Sequence, residues 1–108
     1  MSLAEKKCDA CINAVCSLAE PEYAPLLAQV KGWSVVDKHH LQKSYKTKNF
    51  QEALDLANQI GALAEEEGHH PDLLVRWGEL KIDMWTHKVD GLTEADFVLA
   101  AKIDRIRS

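Results

Sequence analysis

Long apolar runs and dense basic clusters are both missing from this sequence. No stretch approaches the roughly 20 apolar residues that cross a bilayer, and the chain does not open with the charged and apolar regions of a secretory signal. Its 108 residues carry 13 Lys and Arg against 17 Asp and Glu, a formal net charge of −4. A chain without a basic patch is not favoured to bind nucleic acid directly. These absences predict a soluble, cytoplasmic protein that takes a small, neutral or weakly charged ligand.

Cysteine is scarce as well, and its three positions lie close together at Cys8, Cys11 and Cys16. An odd number argues against a complete disulfide framework. Cys8 and Cys11 have the spacing of half a zinc site, but no second well-spaced pair supplies the other ligands of a four-coordinate ion. We therefore expect unliganded thiols in a mobile leader over residues 1–16, followed by a single domain over residues 17–108.

The apolar pattern after this leader predicts the order helix, strand, strand, helix, strand, strand, helix. The predicted ranges are 21–30, 33–36, 41–46, 50–67, an extended stretch from 73 to 87 that bends at Gly78, and a last helix that opens at Thr93. Two hairpins joined by a helix favour an antiparallel sheet with its helices on one face. The predicted fold class is therefore α+β, a four-stranded antiparallel sheet with three helices packed on one face.

Local signals predict how these elements begin and which faces they bury. Ser17 and Asn49 are candidate caps for the first and second helices. An apolar stripe predicts the face of the second helix that packs on the sheet. The stripe consists of Phe50, Ala53, Leu54, Ala57, Ile60, Gly61 and Ala64. Val75, Trp77 and Trp85 are candidates for an apolar patch on the other sheet face or at a sheet edge, which would favour self-association.

Three histidines, His69, His70 and His87, are the main candidates for chemistry, because imidazole exchanges protons near neutral pH. Gly68 and Pro71 flank the adjacent pair. Gly permits a positive φ and Pro disfavours helical geometry in the residue before it, so both histidines can face one pocket beyond the helix end. His87 falls on the strand face opposite the core row, which fits a site residue and a solvated surface histidine about equally.

Other polar residues near these histidines have more than one interpretation. Glu65 can accept a hydrogen bond that fixes a histidine tautomer, and Asp96 stands at the third helical position after Thr93, close to a capping box. A second pair, His39 and His40, lies in a polar connection between strands, where we expect a solvated turn.

The motifs Glu65-x-x-x-His69-His70-Pro71, Thr86-His87 and Gly91-Leu92-Thr93-x-x-Asp96, with an aromatic at Trp77, resemble the signature of the pterin-4a-carbinolamine dehydratases. That family is also called the dimerization cofactors of homeodomain transcription factors. The resemblance runs from about residue 21 to the C-terminus and leaves the cysteine leader outside. It implies a four-stranded antiparallel sheet with three helices on one side, in agreement with the order above, and a homodimer or homotetramer.

The resemblance also implies an activity and roles for individual residues. The activity is dehydration of a 4a-hydroxytetrahydropterin, left by aromatic amino-acid hydroxylases, to quinonoid dihydropterin, without a metal or redox cofactor. His69 and His87 would be the catalytic acid and base. The implied remaining site residues are His70, Glu65, Pro71 and Trp77 for binding the pterin and Asp96 for orienting a histidine.

Two other classes of function stay open from the sequence. In one, His69, His70 and His87 bind zinc, although adjacent histidines are awkward ligands for one ion. In the other, the protein is a non-catalytic partner that stabilises the dimer of another protein, a role that can coexist with catalysis.

Overall fold

The computed structural model describes residues 17–106, and the predicted leader with its three cysteines lies outside the described residues. The elements are helix α1 (Glu20–Leu27), strands β1 (Ser34–Val36) and β2 (His40–Lys46), helix α2 (Phe50–Glu67), strands β3 (Asp72–Arg76) and β4 (Glu79–Met84), and helix α3 (Glu94–Ile106). A short 3-10 turn, His87–Val89, connects β4 to α3. The predicted α+β order is confirmed. None of the helices within residues 17–106 is long and apolar enough to cross a membrane.

The sheet is antiparallel throughout, with strand order β1-β2-β4-β3. Strand β4 lies at its centre and alternates buried Leu80, Ile82 and Met84 with partly exposed neighbours. Period-two alternation gives a sheet one apolar face. That face packs against the helices, and the fully buried Phe97 of α3 completes the core there.

The predicted apolar stripe of helix α2 needs correction, although the bounds of the helix and its cap are as expected. The Asn49 side chain accepts a hydrogen bond of 2.8 Å from the backbone N–H of Glu52. The buried line follows Ala53, Leu56, Ile60 and Ala64, so the predicted stripe omitted Leu56. Phe50 is exposed and Leu54 half-buried, because α2 is rotated so that the row through Leu56 faces the sheet. Gly61 borders open space rather than a close neighbour.

Helix α1 is shorter than predicted and begins differently. Its N-cap is Ala19, whose backbone N–H donates to the Glu22 carboxylate at 2.8 Å, and Ser17 is not the cap. Ser17 instead lies against Gly91, where a Cβ would approach the Ser17 Cβ to 2.5 Å. This contact explains why position 91, three residues before α3, is a glycine: any side chain there would displace Ser17.

A charged cluster connects the start of β1 to β2 and α3. Lys43 Nζ lies 2.8 Å from Asp104 Oδ1 and donates to the Lys31 carbonyl at 2.7 Å, while Trp33 Nε1 donates to the same carboxylate at 2.9 Å. Burial by itself lowers the pKa of Lys43, but hydrogen bonds to Asp104 and Tyr45 outweigh it and raise that pKa above 10.5. Burial also raises the pKa of Tyr45.

The predicted apolar patch of Val75, Trp77 and Trp85 does not form on one surface. Val75 packs against the core, Trp77 is 72% exposed in the β3–β4 turn, and Trp85 lies beyond the other end of β4. Alternation along the strands explains the separation, because Val75 faces the helices. Leu74 and Trp77 are the large exposed apolar residues of this hairpin.

Candidate functional site

The end of helix α2 and the end of strand β4 meet at one pocket. Its lining consists of Gly68, His69, His70, Trp85, Thr86, His87 and Lys88. The two segments contribute the three histidines that the sequence identifies as candidates. The pocket therefore gathers residues that are separated by about twenty positions in the chain.

Gly68 directs the first segment into the pocket. It ends α2 in the left-handed conformation, with φ of 68°, and the N–H of His69 returns to the Ala64 carbonyl at 3.2 Å. A helix commonly closes with a glycine in this conformation. The chain consequently leaves the helix axis at Gly68, and the next two residues can both line the pocket.

His87 reaches the pocket from a turn rather than from a strand. Strand β4 ends at Met84, and Thr86 forms a bridge with Gly91 around the 3-10 turn. Asp90 closes that turn with φ of 50°. The prediction that His87 continues the strand alternation is therefore wrong: the chain turns away from the sheet two residues earlier, and His87 is exposed at the pocket rim.

His69 is paired with a buried carboxylate. Its Nε2 lies 2.5 Å from Asp96 Oδ1, and Asp96 is fully buried while His69 is 8% exposed. The other oxygen of Asp96 accepts hydrogen bonds from the Thr93 N–H at 2.9 Å and the Thr86 hydroxyl at 2.8 Å. Because an ionised carboxylate only accepts, neutral His69 carries its proton on Nε2, and Nδ1 is its acceptor nitrogen.

The carboxylate of Asp96 thus serves two structural purposes at once. It accepts the N–H of Thr93 at the start of α3, as the predicted capping box requires, and it orients His69. Thr93 Oγ1 lies 2.8 Å from Thr86 Oγ1 and donates to it, because the single hydroxyl proton of Thr86 is directed at Asp96. Among the described residues, no buried side-chain nitrogen or oxygen lacks a hydrogen-bond partner.

His70 has a different environment from its neighbour. Its Nε2 contacts the carboxylate of Glu65, one turn back on α2, and both side chains are largely exposed. Pro71 follows and begins the connection to β3. One histidine of the pair is thereby fixed in the interior and the other stands at the open side of the pocket.

Comparison with known proteins places this chain in a family. The family model described as pterin 4 alpha carbinolamine dehydratase matches residues 16–106. The chain belongs to this family. A protein of Rubrobacter xylanophilus, provisionally named a pterin-4-alpha-carbinolamine dehydratase, is 53% identical over 104 residues, covering 96% of this chain and 97% of its own length.

Two further relatives agree with this assignment. A protein of Alkaliphilus metalliredigens with the same provisional name is 50% identical over 108 residues, covering 99% of this chain and 97% of its own. The crystal structure of a transcriptional coactivator/pterin dehydratase from Brucella melitensis superposes with a TM-score of 0.79 at 30% identity, covering 85% of this chain and 99% of that one.

Trp77 is the residue of the dehydratase signature that the structure separates from the pocket. It lies in the β3–β4 turn, whereas the pocket is beyond the opposite end of β4. The six residues of β4 span about 16 Å. Trp77 therefore cannot contact a small molecule held between the histidines of the same chain.

The roles of several residues around the pocket were not predicted from the sequence, although Thr86 and Thr93 stand in the quoted motifs. Thr86 and Thr93 join the buried network of Asp96. His39 and His40, expected in a solvated turn, lie against Trp85 instead, with ring centroids 5.2 and 5.9 Å from the indole. The pairing of Leu41 with Met84 brings His40 opposite Trp85, and this strand order is not readable from the sequence.

The geometry does not favour the zinc alternative. Within residues 17–106, no three His, Cys, Asp or Glu side chains are arranged to hold a metal ion. The Nε2 atoms of His69 and His70 each face a carboxylate of their own, Asp96 and Glu65. The pocket presents imidazoles that are already oriented as proton donors or acceptors.

Proposed function

We propose that the protein is a cytoplasmic dehydratase that removes water from 4a-hydroxytetrahydrobiopterin, a pterin-4a-carbinolamine, and yields quinonoid dihydropterin in tetrahydrobiopterin recycling. The main support is the meeting of His69 and His87 at one pocket, with His69 fixed by the buried Asp96. Membership of the pterin carbinolamine dehydratase family supports the choice of substrate class.

The reaction needs one proton donor and one proton acceptor. The bond between C4a and the hydroxyl oxygen breaks as a donor protonates the oxygen, and water leaves. A base removes the proton from the adjacent ring nitrogen, whose electron pair forms the new C=N bond. Groups within about 2.6 to 3.2 Å of these atoms can perform both transfers. The balance requires no oxidant, reductant or covalent intermediate with the protein.

His69 is the proposed base. Its Nε2 proton is committed to Asp96, so Nδ1 accepts the proton from the ring nitrogen. A buried carboxylate behind a histidine is the arrangement that holds an imidazole in one tautomer in other acid–base sites. Thr86 and Thr93 keep that carboxylate in place, because each donates into the same network.

His87 is the proposed acid. It lines the same pocket as His69 from an exposed turn, where exchange with water can restore its proton after each turnover. A substrate whose hydroxyl lies on the opposite face of the ring would reverse the two roles. His70, held by Glu65 at the open side, binds and orients the pterin, and Pro71 fixes the backbone beside it.

Alanine variants of the two histidines test these assignments. His69→Ala and His87→Ala should each lower kcat for 4a-hydroxytetrahydrobiopterin by about 10² to 10⁴-fold, the usual contribution of a positioned acid or base. The matched control, Cys11→Ser, changes a residue of the leader and should keep the wild-type rate. Circular dichroism would verify that all three are folded. Equal activity in the three variants would refute the site.

A partner-binding role is the second candidate. The Brucella melitensis relative is described as both a transcriptional coactivator and a pterin dehydratase. In this chain, β3 is an edge strand, and Leu74 and Trp77 are exposed beside it. An open edge with apolar residues favours association. We propose that this hairpin supports a homodimer or homotetramer, or holds another protein.

Light scattering and one variant separate these possibilities. A homo-oligomer should have a measured mass of two or four chains, and Trp77→Ala should lower it. A monomeric mass for the wild-type protein would refute self-association. A non-catalytic partner role further predicts that a complex with its partner survives His69→Ala, which slows proton transfer without altering this hairpin.

A further inference from the structure

A second aromatic and histidine cluster adjoins the pocket from outside. Trp85 lines the pocket, and its ring centroid lies 4.6 Å from that of His87. The same indole contacts His39 and His40, which come from the β1–β2 hairpin and do not line the pocket. Trp85 therefore connects the proposed acid to a hairpin that is about fifty residues away in the chain.

A hydrogen bond makes a second connection to the same hairpin. His39 Nε2 lies 2.8 Å from Asp90 Oδ1, and Asp90 is the residue that closes the 3-10 turn bearing His87. The two connections act on His87 in different ways, one through its ring and one through its backbone turn.

The hydrogen-bond directions in this cluster are determined by the carboxylate. Asp90 accepts, so neutral His39 carries its proton on Nε2 and accepts at Nδ1. The Nδ1 atom of His40 lies 3.2 Å away and donates to it. The Asp83 carboxylate lies 3.5 Å from His40 Nε2 and accepts its hydrogen bond from Gln42, at 2.8 Å, because neutral His40 has its one ring proton on Nδ1. The two histidines form an ordered chain rather than a solvated turn.

We propose that His39 and His40 are positioning residues: they hold the indole of Trp85 against the pocket, and His39 holds the turn of His87 through Asp90. The kinetic part of this inference rests on the proposed dehydratase function, whereas the structural part does not. Because Asp90 is 86% exposed, its hydrogen bond contributes little to global stability. The effect of removing it should therefore be on the position of His87 and not on folding.

Four variants test the proposal. His39→Ala removes the His39 contact with Trp85 and the hydrogen bond to Asp90 while leaving the His40 contact, and Asp90→Ala removes the hydrogen bond alone. Asp90→Asn keeps an acceptor oxygen and tolerates the left-handed backbone. Asp37→Ala is the matched control, because Asp37 lies in the same hairpin with φ of 53° and belongs to neither connection. All four should remain folded, because Asp37 and Asp90 are exposed and His39 is one-third exposed, and Asp37→Ala matches the backbone effect of Asp90→Ala since both residues have a left-handed φ.

The first readout is the NMR chemical shift of the His87 ring protons in ligand-free protein, which the ring current of Trp85 displaces. His39→Ala and Asp90→Ala should change this shift clearly, Asp90→Asn only slightly, and Asp37→Ala not at all. Unchanged His87 signals in His39→Ala, or an equal change in Asp37→Ala, would overturn the proposal whether or not the protein is an active dehydratase.

The second readout is steady-state dehydration of 4a-hydroxytetrahydrobiopterin. Small misplacements of a catalytic group cost up to about 10²-fold, so His39→Ala and Asp90→Ala should lower kcat about tenfold with a smaller change in KM. Asp90→Asn should restore kcat to within about twofold of wild type. An inactive wild-type protein would refute the proposed function alone, because the NMR comparison still decides the positioning role. Wild-type kcat in His39→Ala would overturn that role.

Discussion

Replacing Asp96 with asparagine separates the catalytic role of the carboxylate from its structural role. The amide has one acceptor oxygen and one donor group. The backbone N–H of Thr93 is a fixed donor, so the amide oxygen must remain on that side and continue to accept from Thr93 and Thr86. The NH₂ group then faces Nε2 of His69. His69 can satisfy it only by moving its own proton to Nδ1.

This tautomer change removes the proposed base while the network remains paired. With Nδ1 protonated, His69 cannot accept the proton of the substrate, and kcat should fall by about 10² to 10⁴-fold. The loss of a charged acceptor should cost only about 1 kcal/mol of stability, because each donor still has a partner.

Asp96→Ala provides the contrasting case. It leaves the His69 N–H, the Thr86 hydroxyl and the Thr93 N–H buried without their acceptor, and each unpaired group costs about 1 to 3 kcal/mol. The expected loss is therefore about 3 kcal/mol or more, measured by urea unfolding. Ultraviolet absorbance assays of both variants complete the test. An Asp96→Asn protein with near-wild-type kcat would refute the tautomer argument, whatever its stability.

Three further substitutions test the fold around the site. Gly68→Ala should lower the free energy of unfolding by about 1 kcal/mol, because its φ of 68° is strained for a residue with a Cβ. Gly61→Ala, inside helix α2, should raise the free energy of unfolding by about 0.5 to 1 kcal/mol, because open space surrounds that position. Urea unfolding measures both changes, and equal changes would contradict the conformational reasoning. Lys43→Met should cost about 1 kcal/mol near pH 8, since it removes a partly screened ion pair with Asp104. A lysine whose pKa is raised in the folded state stabilises the protein at pH values below its unfolded pKa of 10.5, and this stabilisation is lost as the pH rises through the folded pKa. The difference in free energy of unfolding between Lys43→Met and wild type should therefore narrow above pH 10.5. A difference that is constant with pH would contradict the pKa argument.

Periodicity and local chemistry were sufficient for much of the fold. The alternation of Leu80, Ile82 and Met84 correctly predicted the buried face of β4, and Asn49 and Gly68 marked the ends of α2. These signals are local, since each depends on neighbours within one turn or one strand. The errors arose where tertiary packing decides, as in the rotation of α2 that buries Leu56.

In the candidate site, too, local signals were sufficient for some residues and tertiary packing decided the others. His69 and His70 could be assigned to one pocket because Gly68 and Pro71 constrain them locally. The involvement of His39 could not be foreseen, because it depends on β2 pairing with β4 rather than on any nearby residue. Trp77 illustrates the opposite error: its position in the signature suggested a binding role, but the length of β4 separates it from the histidines.

The dehydration of freshly generated 4a-hydroxytetrahydrobiopterin, followed by ultraviolet absorbance, tests most directly whether the histidine pocket performs acid–base catalysis. The protein should first be treated with a chelator, and the rate compared with the spontaneous reaction. We predict a large acceleration that survives the chelator and is lost in Asp96→Asn. A rate equal to the spontaneous one, or an activity that the chelator removes and zinc restores, would contradict catalysis by His69 and His87.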